Sequence, residues 1–454
     1  MHNLGFWLRG DCTIYEAWGD EWSCDAMEAT FDTIEAMYAG VMGQDDITNG
    51  PRAGYNSNTD ATILQLFLDA GYTETEGRRV GGAGLEFSAS WTEWSNAINP
   101  LPFDGPDGDM TSGSSRVTAA KVFIDPLRSL PNFGLITGAK VMKVNFDGTT
   151  ATGVTYMMDG DPLEYTILAD ETILALGAVT TAQLLLVSGV GPAADLEAVG
   201  IPVVADLPVG AEYQNHVFNG ALYCGPVWEA PSAGLSTFPA DGIFKTYDTT
   251  FSTTTANVWV QGTSAQSPGP ADYSMAFITN IGSGPFAGNF AGDFACESGE
   301  SPIFVIIGVM YAHSRGFVNV SSASMDDYPV WQSGMFNDAK DAEILYEAFG
   351  TIRSILTPEA GFRELFPTDV TAYESHSVYG TSDSFWHDSS TAPIGKVVDS
   401  TLKVYGIDGL RVCDTSVQPW LTNMPNTAAA QATGLMGAKL VLQDAVKTPS
   451  EVEA

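Results

Sequence analysis

The run from Asp170 to Val187 constrains the fold more than any other part of this sequence. A compact apolar strand, Asp170 to Leu176, closes in the small residues Ala175, Gly177 and Ala178, and an apolar helix follows from Thr180 to Val187. Small residues at the end of a strand let backbone approach backbone or a ligand closely. After the helix, Gly189-Val190-Gly191-Pro192-Ala193-Ala194 spells G-x-G-x-x-A. A phosphate-binding turn of that pattern lies between a strand and a helix, so that the helix N-terminus faces the anion. These glycines come after a helix, which argues against that role. Gly81-Gly82-Ala83-Gly84 has no strand before it and carries as little weight.

Elsewhere the pattern alternates between clear elements and loop-rich stretches. Asp25 to Tyr38 and Val117 to Leu127 read as helices, and Phe133 to Thr137 as a short strand. Ala139 to Phe146 and Thr152 to Met158 form a hairpin about Asp147-Gly148. Residues 226–300 are rich in Ser, Thr, Gly and Pro, a composition of sheet and loops. Ile303 to Ala312 is the most apolar run, far short of the roughly 20 residues of a membrane helix, and reads as a buried strand. Ile344, Leu345, Phe349, Ile352 and Leu356 mark a helix over 338–356, and an Ala- and Gly-rich helix closes the chain from Thr427 to Val446.

With 454 residues the chain exceeds what one core supports and is expected to form two domains. Nineteen basic against 55 acidic side chains give a net charge of −36, which repels nucleic acid and anionic membrane surfaces. No signal peptide is visible after Met1. The five cysteines, Cys12, Cys24, Cys224, Cys296 and Cys413, contain no C-x-x-C pair and offer no zinc or iron–sulfur site. Cys12 and Cys24 are close enough to bridge, but five unpaired thiols is the expectation. Asn319-Val320-Ser321 is a glycosylation sequon. The compartment is not determined by these features, and an extracellular one is favoured.

The order of motifs is more specific. After Gly177 come Gln183-Leu184-Leu185, Ser188-Gly189-Val190-Gly191-Pro192, Gly200-Ile201-Pro202, Leu207-Pro208-Val209-Gly210 and Gln214-Asn215-His216. Arg9-Gly10 and Tyr15-Glu16-Ala17-Trp18 precede them, as do Arg116, Pro131-Asn132-Phe133 and Thr137-Gly138-Ala139. Ser314-Arg315-Gly316 and the stretch from Val398-Asp399 to Pro419 follow. This series resembles the glucose–methanol–choline flavin oxidoreductases over nearly the whole chain. The resemblance implies an α/β fold: a Rossmann-like FAD-binding domain over 1–10, 112–225 and 397–454, and a second domain on an antiparallel sheet over 11–111 and 226–396, covering the flavin and binding substrate.

The resemblance also implies a site. His387, followed by Asp388-Ser389-Ser390-Thr391-Ala392-Pro393-Ile394-Gly395, has the spacing of the catalytic base that takes the alcohol proton as hydride passes to flavin N5. A neutral imidazole, with an ordinary pKa of about 6.5, suits that task. After Asp414-Thr415-Ser416-Val417-Gln418-Pro419 the second polar residue of the family matches Asn426, with Asn423 as the alternative. It would hydrogen-bond the substrate hydroxyl or developing alkoxide. An Asn there leans toward cellobiose dehydrogenase-like members. Val141, Ala175, Gly177, Asp414 and Thr427 match FAD contacts, and His2-Asn3 lies where the family passes the isoalloxazine edge. His216 matches a family marker read as structural, and His313 and His376 have no motif support.

In the family a strand, a glycine-rich turn, a helix and an acidic residue open the FAD-binding domain, and Met1 already matches a later signature. These 454 residues are therefore expected to hold FAD weakly or not at all and to be poorly stable. The resemblance implies oxidation of an alcohol or saccharide, with oxygen, a quinone or a redox protein as electron acceptor. A lyase or decarboxylase on the same scaffold, or a degenerate homologue without activity, are the alternatives.

Overall fold

Apolar side chains sort into two cores, and the sheets and helices follow that division. The computed structural model describes residues 9–42, 58–75, 86–89, 98–99, 115–116, 119–226, 256–266, 271–278, 296–297, 299–365 and 382–447.

The first core gathers Tyr15, Trp18, Trp22, Phe31, Leu184, Leu185, Val397, Val412 and Ala432, among others. Three antiparallel strands, Ala139–Asp147, Thr150–Met158 and Glu164–Leu168, form the hairpin around Asp147-Gly148 and one further strand. The strand Thr172–Leu174 pairs in parallel with Leu410–Val412 and runs through Gly177 into the helix Ala178–Val187. On this pair Ile173 is 47% exposed, while Leu174 and Leu410–Val412 are buried. The helix Cys24–Met42 packs on the C-terminal helix Thr427–Lys447. The expected division put 11–111 with the second domain, yet Tyr15 to Tyr38 share this first core, because their aromatic faces pack against residues late in the chain.

The second core lies under a large sheet. Its strands run in the order Thr73–Thr75, Glu86–Ala89, Ala256–Gly262, Tyr273–Ile278, Glu300–Val309, Val217–Pro226 and Arg363–Leu365, with Asp383–Ser384 also on Val217–Pro226. Apart from the first pair, every pairing is antiparallel. Ile303, Val305, Ile307 and Val309 share a core with Ile63 and Phe67 of the helix Asn58–Asp69, and with Ile344, Leu345 and Phe349 of the helix Lys340–Ile355. Phe304 and Ile306 are buried on the opposite face, which is why the run reads as continuously apolar. No helix among the described residues is long and apolar enough to cross a membrane.

Three local expectations are corrected. Residues 133–137 form no strand; they are largely exposed and pair with no strand among the described residues. The helix expected over Val117 to Leu127 is a π-turn, Ala120–Ile124, passing into a 3₁₀ turn, Asp125–Leu127. Pro126 has no N–H for a regular helical bond, so the turn tightens there. The cysteines are not five unpaired thiols: Cys12–Cys24 and Cys224–Cys296 are disulfides, and among the described residues Cys413 is free. The bridged pairs are 12 and 72 residues apart. Loop-closure entropy grows with that separation, so Cys296→Ser is expected to cost about 4 kcal/mol and Cys12→Ser about 3. Denaturant titration of both variants measures the order, and a larger loss at Cys12 would contradict it.

The Gly189 and Gly191 pattern serves packing. Gly189 has φ +92°, and a Cβ there would stand 2.4 Å from the Pro202 carbonyl oxygen; at Gly191 it would stand 2.4 Å from the Leu186 side chain.

Candidate active site

The site is assembled where residues 213–218 run antiparallel to residues 383–391. Val217 pairs with Ser384 and Phe218 with Asp383. The Phe385 N–H then donates to the His216 carbonyl at 3.1 Å, and Gln214 and Ser389 exchange both backbone bonds at 3.1 Å. Between these contacts the His387 N–H donates to Asn215 Oδ1 at 3.0 Å. That register sets the two imidazoles face to edge, with His216 Nδ1 2.7 Å from His387 Nδ1 and the rings at 90°. The other His216 nitrogen, Nε2, lies 2.8 Å from the Thr422 carbonyl oxygen.

His387 is 3% exposed and stacks on Phe385, with ring centroids 5.4 Å apart and planes 4° from parallel. Its Nε2 is buried without a hydrogen-bond partner among the described residues. Burial, and then the neighbouring His216, hold its pKa well below the ordinary histidine value. Burial brings His216 down to about 4, against the raising effect of the Thr422 and Met310 carbonyls. Both rings are therefore neutral at neutral pH.

Several groups hold the His387 loop in a backbone that side chains rarely adopt. Trp386 and Ser390, flanking it, have φ values of 57° and 69°. Left-handed residues of this kind cost on the order of 1–3 kcal/mol and persist where their surroundings over-determine them. Here Asp388 accepts hydrogen bonds from Tyr213 Oη and, at 2.9 Å, from Asn215 Nδ2. Thr415 Oγ1 donates to the Asp388 carbonyl at 2.8 Å, and Ser389 Oγ donates to the His387 carbonyl at 2.9 Å.

Asn426 is buried, and its amide is engaged within the protein. Nδ2 donates to Ser389 Oγ at 2.7 Å, and Oδ1 accepts from Gln418 Nε2 at 2.9 Å. Through Ser389 it acts on the backbone that carries His387. Asn423 is fully buried and bonds elsewhere: Oδ1 accepts from the Asp11 N–H at 2.9 Å, and its carbonyl accepts from Gln261 Nε2 at 2.6 Å.

Asp414 ties the C-terminal ends of the two parallel strands together. Its Oδ2 accepts from the Gly177 N–H at 2.9 Å and from Thr181 Oγ1 at 2.6 Å, while Oδ1 accepts from the Ser416 N–H at 2.8 Å. Ligands of α/β sheets bind at that end of the strands. Ala175 is exposed there, and nothing stands within 4 Å of a Cβ added at Gly177. Val141 is half-buried in the strand Ala139–Asp147. Thr427 begins the C-terminal helix with Oγ1 buried and, among the described residues, without a hydrogen-bond partner, as are Ser390 Oγ, Ser416 Oγ and Gln418 Oε1. Such a set of unsatisfied donors and acceptors fits a polar, multiply hydrogen-bonding group such as a flavin dinucleotide. His2, Asn3, His376 and Gly81 to Gly84 lie outside the described residues.

The described residues form a mixed helix and sheet fold with two apolar cores and a buried histidine-bearing loop. Models of the GMC oxidoreductases match residues 103–218 and 312–434, together more than half of the sequence. The chain belongs to the GMC oxidoreductase family. It is 27% identical over 447 residues to an oxygen-dependent choline dehydrogenase of Staphylococcus saprophyticus, covering 91% of this chain and 74% of that one. A patulin synthase of Aspergillus clavatus is 29% identical over 341 residues, covering 67% of this chain and 54% of the relative. Pyridoxine 4-oxidase from Mesorbium loti shares the fold at a TM-score of 0.71 and 22% identity, over 96% of this chain and 82% of that structure.

Proposed function

We propose that this protein oxidises an alcohol or a sugar hydroxyl with FAD, His387 acting as the base. The observation that carries this is His387 Nε2: buried, on a neutral ring, and without a hydrogen-bond partner among the described residues. A neutral imidazole nitrogen excluded from water is suited to take the hydroxyl proton. The substrate O–H proton passes to Nε2 as the carbon-bound hydrogen departs with its electron pair, leaving a carbonyl. FAD, when bound, supplies the acceptor for that hydride. Gly177, Ala175, Val141, Asp414, Thr427 and the N-terminal His2-Asn3 are the residues proposed to hold it, and Asn426, whose Nδ2 gives one of its two hydrogens to Ser389, is proposed to support the oxygen with the other as charge develops on it.

The relatives' names support this class: one is a choline dehydrogenase and another a patulin synthase. Oxygen, a quinone or a redox protein is proposed as the final acceptor. The two disulfides support an extracellular location, since such bonds persist in oxidising compartments. The test is anaerobic mixing of the protein, supplied with saturating FAD, with a panel of primary alcohols and sugars. Bleaching of the bound flavin by a member of the panel is expected. A substrate consumed while the flavin stays oxidised would instead indicate a lyase.

A further inference from the structure

The His216–His387 pair decides which nitrogen of His387 carries the proton. A carbonyl oxygen can only accept, so the His216 Nε2 that lies 2.8 Å from the Thr422 carbonyl must be the protonated nitrogen. On a neutral ring, Nδ1 of His216 is then a lone pair. His387 Nδ1, 2.7 Å away, must donate to it and carry the hydrogen. Nothing remains for His387 Nε2 but the lone pair, and this is the atom left without a hydrogen-bond partner among the described residues. Burial of both rings excludes the alternative in which one of them is a stable cation.

We propose that His216 is a positioning residue that fixes the His387 tautomer with Nδ1 protonated and Nε2 bare. This deepens the reading of His387 as base and rests on it, because an Nε2–H ring could not accept the substrate proton there. The device works through a chain of two bonds. The Thr422 carbonyl orients His216, and His216 orients His387. It also gives the imidazolium formed on proton uptake an immediate acceptor for Nδ1–H, so the new charge does not stand unpartnered in a dry site. Asp orients the catalytic histidine in the serine hydrolases by the same logic, with a carboxylate in place of the second imidazole. A neutral partner leaves the waiting base less basic, as suits a ring kept unprotonated.

The test is NMR of the protein containing histidine labelled with heavy nitrogen, which distinguishes the two neutral tautomers directly and requires neither flavin nor substrate. With five histidines in the chain, His387→Gln identifies the signals of residue 387. Wild type is expected to show His387 protonated at Nδ1 and bare at Nε2. His216→Gln, whose amide can donate to Thr422 and accept from His387, is expected to keep that tautomer. His216→Leu removes the acceptor and is expected to shift His387 to the Nε2–H form. In FAD-loaded protein the Leu variant is also expected to reduce flavin at least about tenfold more slowly. Should His216→Leu not fold, wild type and the Gln variant still decide the matter. An Nε2–H ring in wild type, or a tautomer unmoved in a folded Leu variant, overturns the proposal. The expected tautomer together with no flavin bleaching by any alcohol would leave this inference standing and overturn the assigned reaction.

Discussion

His387→Ala is expected to lower the rate of flavin reduction by about 10²–10⁴-fold, the range for loss of a positioned general base. The side chain that disappears contributes little to holding its own loop. That loop is carried by the His387 backbone N–H on Asn215, by Ser389 on the His387 carbonyl, and by Asp388 with Tyr213 and Asn215. Two structural costs do arise. A cavity opens beside Phe385, and the His216 lone pair loses its donor, which costs about 1–3 kcal/mol. The chemical effect is therefore separable from unfolding: thermal melting reports the structural cost, while single-turnover reduction in the absence of oxygen reports the base. A reduction rate near wild type in a folded variant would remove His387 from the mechanism.

Arg9→Ala is expected to destabilise the protein by about 3–5 kcal/mol, the cost of removing one partner from a buried charge cluster. The Arg9 side chain is 4% exposed and pairs with Glu35 at 2.8 Å, with Asp32 at 2.6 Å and with Glu28. Its guanidinium also lies over the Phe31 ring, 5.6 Å from the centroid. Glu35 is as buried as the arginine, so the variant takes away a cation from a carboxylate held out of water. The arginine further fixes the segment whose Asp11 N–H bonds Asn423, close to the His387 loop. Lys140→Ala provides the contrast. Its pair with Asp326 is exposed on both sides, 47% and 67%, and its loss is expected to change stability by less than about 1 kcal/mol. Denaturant titrations of the two variants test the difference, and equal losses would refute the assignment of Arg9 as a core charge.

Much of the architecture was legible along the chain. The hairpin about Asp147-Gly148, the strand through Ile303, the helix from Lys340 and the small-residue helix from Thr427 each carry a strong local period or turn signal. Local signals failed where a partner was required. Phe133 to Thr137 has strand-like composition but no strand to pair with among the described residues, and Pro126 breaks a helix that periodicity alone would continue. Aromatic residues Tyr15, Trp18 and Phe31 belong to the first core although the family resemblance put them in the second domain, because that core also gathers residues hundreds of positions away, such as Val397, Val412 and Ala432.

The amino-acid sequence by itself determined the family, the mixed helix and sheet class, and His387 as the candidate base, since ordered short motifs and periodicity are properties of neighbouring residues. Only the tertiary structure decided the pairing of His216 with His387, 171 residues apart, the gathering of three carboxylates around Arg9, and the partners of four cysteines. The His216–His387 and Cys224–Cys296 contacts join segments whose separation leaves no periodic trace. Their geometry is set by strand register and core packing, which place one side chain against another only after the chain has folded.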